Sequence, residues 1–148
     1  MSVSALRLLE HVHGHLGWLA VVALLHPAIL LRNPKRRARL SVVLATTVVL
    51  LTGALGASIY PDYRLRLKQA IFIHAPTLGW CFERKEHLAI GAIGFALVGC
   101  IAHLAAPRFE SPARELATRM AHSAYVAAFV FALTVALLGV AVATYSTF

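Results

Sequence analysis

Eight histidines occur in this chain of 148 residues, and they lie at the ends of its apolar segments. Imidazole is the most common side-chain ligand for haem iron, copper and zinc. Ionisable groups inside or beside a lipid bilayer carry a desolvation cost, so their presence there indicates a functional site. The arrangement of the histidines therefore decides whether this chain binds a metal or a metal-bearing cofactor.

The composition of the chain predicts a membrane protein. It is 59% hydrophobic and 14% charged, with a mean hydropathy of +0.75, whereas soluble domains carry about 25% charged residues. The net charge is +8, but the basic residues form clusters between apolar runs, a pattern that favours membrane topology and anionic lipid over nucleic-acid binding. We expect one integral-membrane domain, 1–148, with the lipid bilayer as a partner and no nucleic acid.

Four apolar segments are each close to the roughly 20 residues that cross a bilayer. The segment between the second and third spans, Leu65 to His74, has the pattern of a short interfacial helix, and a Pro/Gly turn is expected over Ala75 to Trp80. The sequence thus predicts an all-α fold, a four-helix transmembrane bundle with a short interfacial helix between spans two and three. The four spans are about His15 to Leu31, Leu40 to Ile59, His87 to Ala106 and Met120 to Tyr145.

Lysine and arginine predict the orientation of the bundle. The connection between spans one and two holds five basic residues and no acid, and the connection between spans three and four holds three arginines. Short loops rich in Lys and Arg remain in the cytoplasm. Both termini are then expected on the non-cytoplasmic side, and the expected location is a bacterial inner membrane.

The predicted topology divides the histidines into two groups at opposite faces of the membrane. On an ideal helix His11 and His15 share a face, and His15 and His26 lie within about 20° of each other. His87 and His103 are roughly 160° out of phase, so they cannot both face one straight seam. The external group contains His11, His13, His15, His74 and His87, and the cytoplasmic group contains His26, His103 and His122.

Two imidazoles from different helices can ligate one haem iron and bury the ring between them. In its spans and in the placement of His15, His26, His87, His103 and His122, the chain resembles the four-helix transmembrane b-type cytochromes. The resemblance implies haem b bound by these residues and an electron-transfer role in a larger membrane complex. The expected cytoplasmic pair is His26 with His103 or His122, and an external haem would use His15 with His87 or His74.

A non-haem metal site at the external face is a second possibility. Glu83 and His87 are four residues apart on one helix face, and His11 and His15 form a second such pair at the same level. His74 lies on the connecting segment. One carboxylate with several imidazoles fits iron, copper or zinc.

A structural or accessory membrane subunit without a cofactor is the third possibility. Histidines at the interface need no ligand role, since water and headgroups reach them, and His26 precedes Pro27, where it can serve a structural purpose. The sequence contains no Ser-His-Asp arrangement, phosphate loop or dinucleotide fingerprint. We therefore expect a non-catalytic electron-transfer or accessory subunit, with other membrane subunits as partners, rather than an enzyme.

Overall fold

The computed structural model describes residues 3–33 and 36–144, and within these ranges it contains helices and no strand. A π-helical segment, Arg64–Lys68, joins the second helix to the third, and a short 3-10 turn, Ala106–Arg108, follows the fourth. The predicted all-α four-helix bundle is confirmed. Its helices are α1 (Val3–Leu30), α2 (Arg39–Tyr63), α3 (Gln69–His74), α4 (Pro76–Ala105) and α5 (Ala113–Ala143).

Four of these helices, α1, α2, α4 and α5, are long and apolar enough to cross a membrane, so the protein is a multi-pass membrane protein. Three of them begin before the predicted spans: α1 at Val3, α4 at Pro76 and α5 at Ala113. A helix satisfies its own backbone hydrogen bonds and continues into the interface, where water reaches its polar side chains. The predicted end of the fourth span, Tyr145, lies outside the described residues.

The connection between α2 and α4 is more helical than expected. The predicted short helix is present as α3, but the predicted Pro/Gly turn is wrong, because the chain breaks only at Ala75 (φ −145°, ψ 70°) and α4 starts at Pro76. Proline suits the first turn of a helix, since the N–H that it lacks would have no partner there. Gly79 is thus helical, and its missing side chain leaves room for the Phe72 ring, 2.8 Å from where a Cβ would stand.

Small residues form the centre of the bundle. Helix α1 packs mainly against α2 and α5, and α4 packs against the same two helices. Alanines allow these close approaches. The fully buried Tyr125 of α5 donates a hydrogen bond to the Val42 carbonyl (3.0 Å) and lies 2.7 Å from the Thr46 hydroxyl, which joins α5 to α2. The alanines of this core are Ala20, Ala28, Ala38, Ala45, Ala96, Ala121 and Ala128.

Two glycines of α4 lie against side chains of α5. A Cβ at Gly99 would stand 2.9 Å from the Tyr125 ring, and a Cβ at Gly91 would stand 3.1 Å from Phe131. Gly94 is exposed, and among the described residues outside its own helix no atom lies within 4 Å of its Cβ position. The contact between α4 and α5 therefore uses Gly91 and Gly99, and Gly94 lies outside it.

Candidate functional site

Polar groups concentrate at the two ends of the bundle. At one end, residues of the connection between α1 and α2 and of the connection between α4 and α5 line a cavity that is open to the outside, here called the arginine cavity. At the other end, ionisable side chains meet where α1 and α4 begin and α2 ends. This second group is the inner polar cluster, and it contains Glu10, His13, Tyr60, Lys68, Glu83, Lys85 and Glu86.

The arginine cavity has a volume of about 1360 Å³. Its lining, taken over the described part of the chain, combines six arginines with a single acid, Glu115, which is paired with Arg119 at 2.6 Å. Six arginines against one glutamate leave five positive charges when the histidines are neutral. The ionisable lining residues are Arg32, Arg36, Arg39, Arg108, Arg114, Arg119, Glu115, His103 and His122.

Two helix hairpins bring these arginines together. In the first connection, the Arg36 N–H donates to the Asn33 carbonyl (3.0 Å), which shapes the turn between α1 and α2. In the second, the Arg108 guanidinium donates to the Leu104 carbonyl (3.2 Å) near the end of α4. A cation at a helix C-terminus also interacts favourably with the helix dipole. Both hairpins turn at the same end of the bundle, so their basic residues converge.

The cavity contains two of the three histidines predicted at this level. His103, in the last turn of α4, and His122, in α5, both line it. The Nδ1 atom of His122 is buried without a hydrogen-bond partner among the described residues. His26 is exposed, its Nδ1 lies 2.8 Å from the Ser41 hydroxyl of α2, and it does not line the cavity. The structure thus brings His103 and His122 to one cavity and places His26 elsewhere.

The inner polar cluster is organised around Glu86. Its Oε2 atom accepts a hydrogen bond from the Tyr60 hydroxyl (3.4 Å) and lies 4.0 Å from the Lys68 ammonium, while its Oε1 atom is buried with no partner among the described residues. Lys68 also forms an ion pair with Glu83. The hydrogen bond to the Glu83 carboxylate raises the pKa of Lys68 above its usual range.

Lys85 and His13 extend this cluster into the bundle. The Lys85 ammonium lies 5.2 Å from the centroid of the Phe82 ring, and its stem passes Gly139 of α5, with Cδ 3.9 Å from where a Cβ would stand. Its charge attracts the carboxylates of both Glu86 and Glu10. The Nδ1 atom of His13 is buried and has no partner in the described part of the chain. Groups from α1, α2 and α4 therefore share one interior region that borders α5.

The residues predicted as external metal ligands are not gathered into one group. His11, His15, His74 and His87 are exposed. The Nδ1 atom of His87 lies 2.8 Å from the Glu83 carbonyl of its own helix, and the Glu83 carboxylate binds Lys68. Over residues 3–33 and 36–144, no group of three or more His, Cys, Asp or Glu side chains is arranged to hold a metal ion.

Sequence reasoning missed the residues that define both sites. The sequence predicts Glu83 only as a metal ligand beside His87, it assigns no role to Lys85 or Glu86, and its arginines serve only to predict topology. For the arginine cavity, the sequence did contain a signal. In an up-and-down bundle, the connection between α1 and α2 and the connection between α4 and α5 lie at the same end, so their basic residues lie close together.

No protein-family model, no curated protein and no solved structure matches this chain. Its function must therefore be inferred from its own residues, above all from those that line the arginine cavity.

Proposed function

We propose that this protein is an accessory membrane subunit that holds an anionic ligand in the arginine cavity. The observation that carries the proposal is the convergence of six arginines and one acid on a cavity of about 1360 Å³. The planar guanidinium group presents paired N–H donors that match the oxygens of phosphate and carboxylate groups. Like charges at short distance repel one another, so a bound anion stabilises this arrangement.

The remaining lining residues suit such a ligand. Ser111 and Ser123 supply hydroxyl groups, and the imidazole of His122 lies in the same wall. These groups can donate hydrogen bonds to further oxygens of a ligand that the arginines neutralise. The proposal assigns binding, and no reaction, to the cavity.

Thermal unfolding of the purified protein in neutral detergent, with pyrophosphate as a soluble probe, tests the proposal. A ligand that binds only the folded protein, at 100 times its Kd, adds about 2.7 kcal/mol of stability. We expect pyrophosphate to raise the unfolding midpoint above that in chloride of equal ionic strength. The double variant Arg36→Gln/Arg108→Gln should lose this increase. If wild type and double variant respond equally, the cavity is not an anion site.

The matched control removes two exposed arginines at the opposite end of the bundle from the arginine cavity. Arg64→Gln/Arg84→Gln changes the net charge by the same amount, and neither residue lines the cavity. We expect it to keep the response to pyrophosphate.

Binding of haem b for electron transfer is the second candidate function. It is favoured by one observation, that His103 and His122 lie on neighbouring helices and line the same cavity. Two imidazoles are the axial ligand set of many b-type haems, and arginines suit the two propionates. The pair of His103 and His122 differs from the expected cytoplasmic pair, which included His26, because the His26 imidazole lies beside the Ser41 hydroxyl. The side chains of the expected external pair, His15 with His87 or His74, are all exposed.

A reduced-minus-oxidised absorption spectrum of the purified protein tests this second function. Haem absorption should disappear in His103→Ala and in His122→Ala and persist in His26→Ala. A spectrum without haem bands removes this candidate and leaves the anionic ligand. Haem bands that survive both cavity variants would place the haem elsewhere.

A further inference from the structure

We infer that the ligand of the arginine cavity is the phosphate headgroup of an anionic phospholipid from the adjoining membrane leaflet. The inference rests on the proposed function and names its ligand. The chemistry that recognises the ligand is a phosphate oxyanion, which a soluble phosphate compound also carries. Position and surroundings distinguish the two sources.

The position of the cavity is that of lipid headgroups. It lies where α1 and α4 end and α2 and α5 begin, and all four helices are long and apolar enough to cross a bilayer. Headgroups occupy the level at which such helices leave the hydrocarbon. Basic pockets between transmembrane helices are known sites for anionic lipid headgroups. A lipid reaches this cavity by lateral diffusion within its leaflet.

Apolar surface next to the cavity suits the rest of a lipid. On α4, Ile101 is 66% exposed, two residues before the cavity residue His103. On α5, Met120 is 49% exposed and follows Arg119. The lining itself includes Leu31 and Leu104. An acyl chain can lie along these side chains while the phosphate contacts arginines, whereas a soluble phosphate compound would leave them uncovered.

Arginines near a membrane surface also attract anionic lipids without forming a site. Two features argue for a defined site. The Arg108 side chain is positioned by its hydrogen bond to the Leu104 carbonyl, and the Arg119 guanidinium is positioned by its ion pair with Glu115. A defined site retains a lipid at fixed stoichiometry, and diffuse attraction does not.

The test uses the full chain reconstituted in nanodiscs that contain phosphatidylcholine with or without phosphatidylglycerol, followed by extraction into neutral detergent and native mass spectrometry. We expect the wild-type protein to retain phosphatidylglycerol over phosphatidylcholine by at least about 10-fold. Arg36→Gln/Arg108→Gln should reduce this preference by a similar factor. The control variant Arg64→Gln/Arg84→Gln should retain the lipid as the wild type does. Far-ultraviolet circular dichroism confirms that each variant is folded before the comparison.

Each other outcome has a defined meaning. An equal loss in both double variants, or no preference in the wild type, overturns the lipid site. If pyrophosphate stabilises the wild type and not Arg36→Gln/Arg108→Gln, while phosphatidylglycerol is not retained, the inference fails and the proposed function stands, with a soluble phosphate compound as ligand. If neither probe binds, both fail. Haem bands that depend on His122 would also overturn the lipid site, because haem would then occupy the cavity.

Discussion

The imidazole of His13 on α1 lies directly against Gly56 of α2, with its Cε1 atom 2.8 Å from where a Cβ at residue 56 would stand. This close approach brings a histidine from the start of the first span into the interior of the bundle. A larger residue at position 56 would overlap the ring, so the ring or the helix would have to move. The pair therefore couples the spacing of α1 and α2 to the position of an ionisable group.

We expect Gly56→Ala to destabilise the protein by about 1–3 kcal/mol, because the added methyl overlaps the His13 ring and the helices must move apart. Gly94→Ala is the matched control, since no atom of the described residues outside its own helix lies within 4 Å of its Cβ position, and replacing a helical glycine by alanine stabilises a helix by about 0.5–1 kcal/mol. Equilibrium unfolding in mixed micelles measures the free energy of unfolding of both variants. The explanation would be wrong if Gly56→Ala proved as stable as Gly94→Ala, or if adding His13→Ala did not reduce the penalty.

Tyr125→Phe should lower the free energy of unfolding by about 1 kcal/mol. The change removes the hydrogen bond from the hydroxyl to the Val42 carbonyl and its contact with Thr46, and it leaves the ring against Gly99. Thr134→Ala is the control, because the Thr134 hydroxyl bonds the Val130 carbonyl one turn earlier on the same helix. The same unfolding assay measures both variants, and equal losses would show that the link between α5 and α2 contributes nothing specific.

Lys85→Met should destabilise the protein by about 2 kcal/mol. This penalty is smaller than the cost of breaking a fully buried ion pair, because the Lys85 side chain is partly exposed. The change leaves the carboxylates of Glu10 and Glu86 without the cation that attracts both. Arg84→Met, at an exposed neighbouring position, should have little effect. Adding Glu86→Gln to Lys85→Met should recover part of the stability. If the double variant is less stable than Lys85→Met alone, the attraction between Lys85 and Glu86 is not the cause.

A reporter fused after Phe148 should be located on the non-cytoplasmic side. The physical reason is that the basic connection between α1 and α2 resists translocation across the membrane. Protease protection of the fusion in sealed vesicles provides the measurement. A cytoplasmic reporter on an intact four-span protein would reverse the orientation, and the lipid of the arginine cavity would then come from the other leaflet.

The sequence alone determined the architecture. Runs of about 20 apolar residues must form helices in a bilayer, where every backbone N–H and C=O needs an internal partner, so the four spans could be predicted without knowledge of any contact. The residues at which the helices begin and end could not be predicted in this way. Val3 to Gly14 continue α1 because water at the interface tolerates polar side chains, and Pro76 starts a helix rather than a turn.

The tertiary structure decided which side chains meet. The sequence placed His26, His103 and His122 at one level, but the rotation of each helix about its axis depends on its neighbours. Pro27 and Ala28 are buried in α1, which leaves His26 exposed beside Ser41. Similarly, the His13 ring enters the interior where Gly56 leaves room for it, and the stem of Lys85 passes Gly139. Hydropathy sets the depth of a residue along a helix, whereas close contact between helices sets the direction of its side chain.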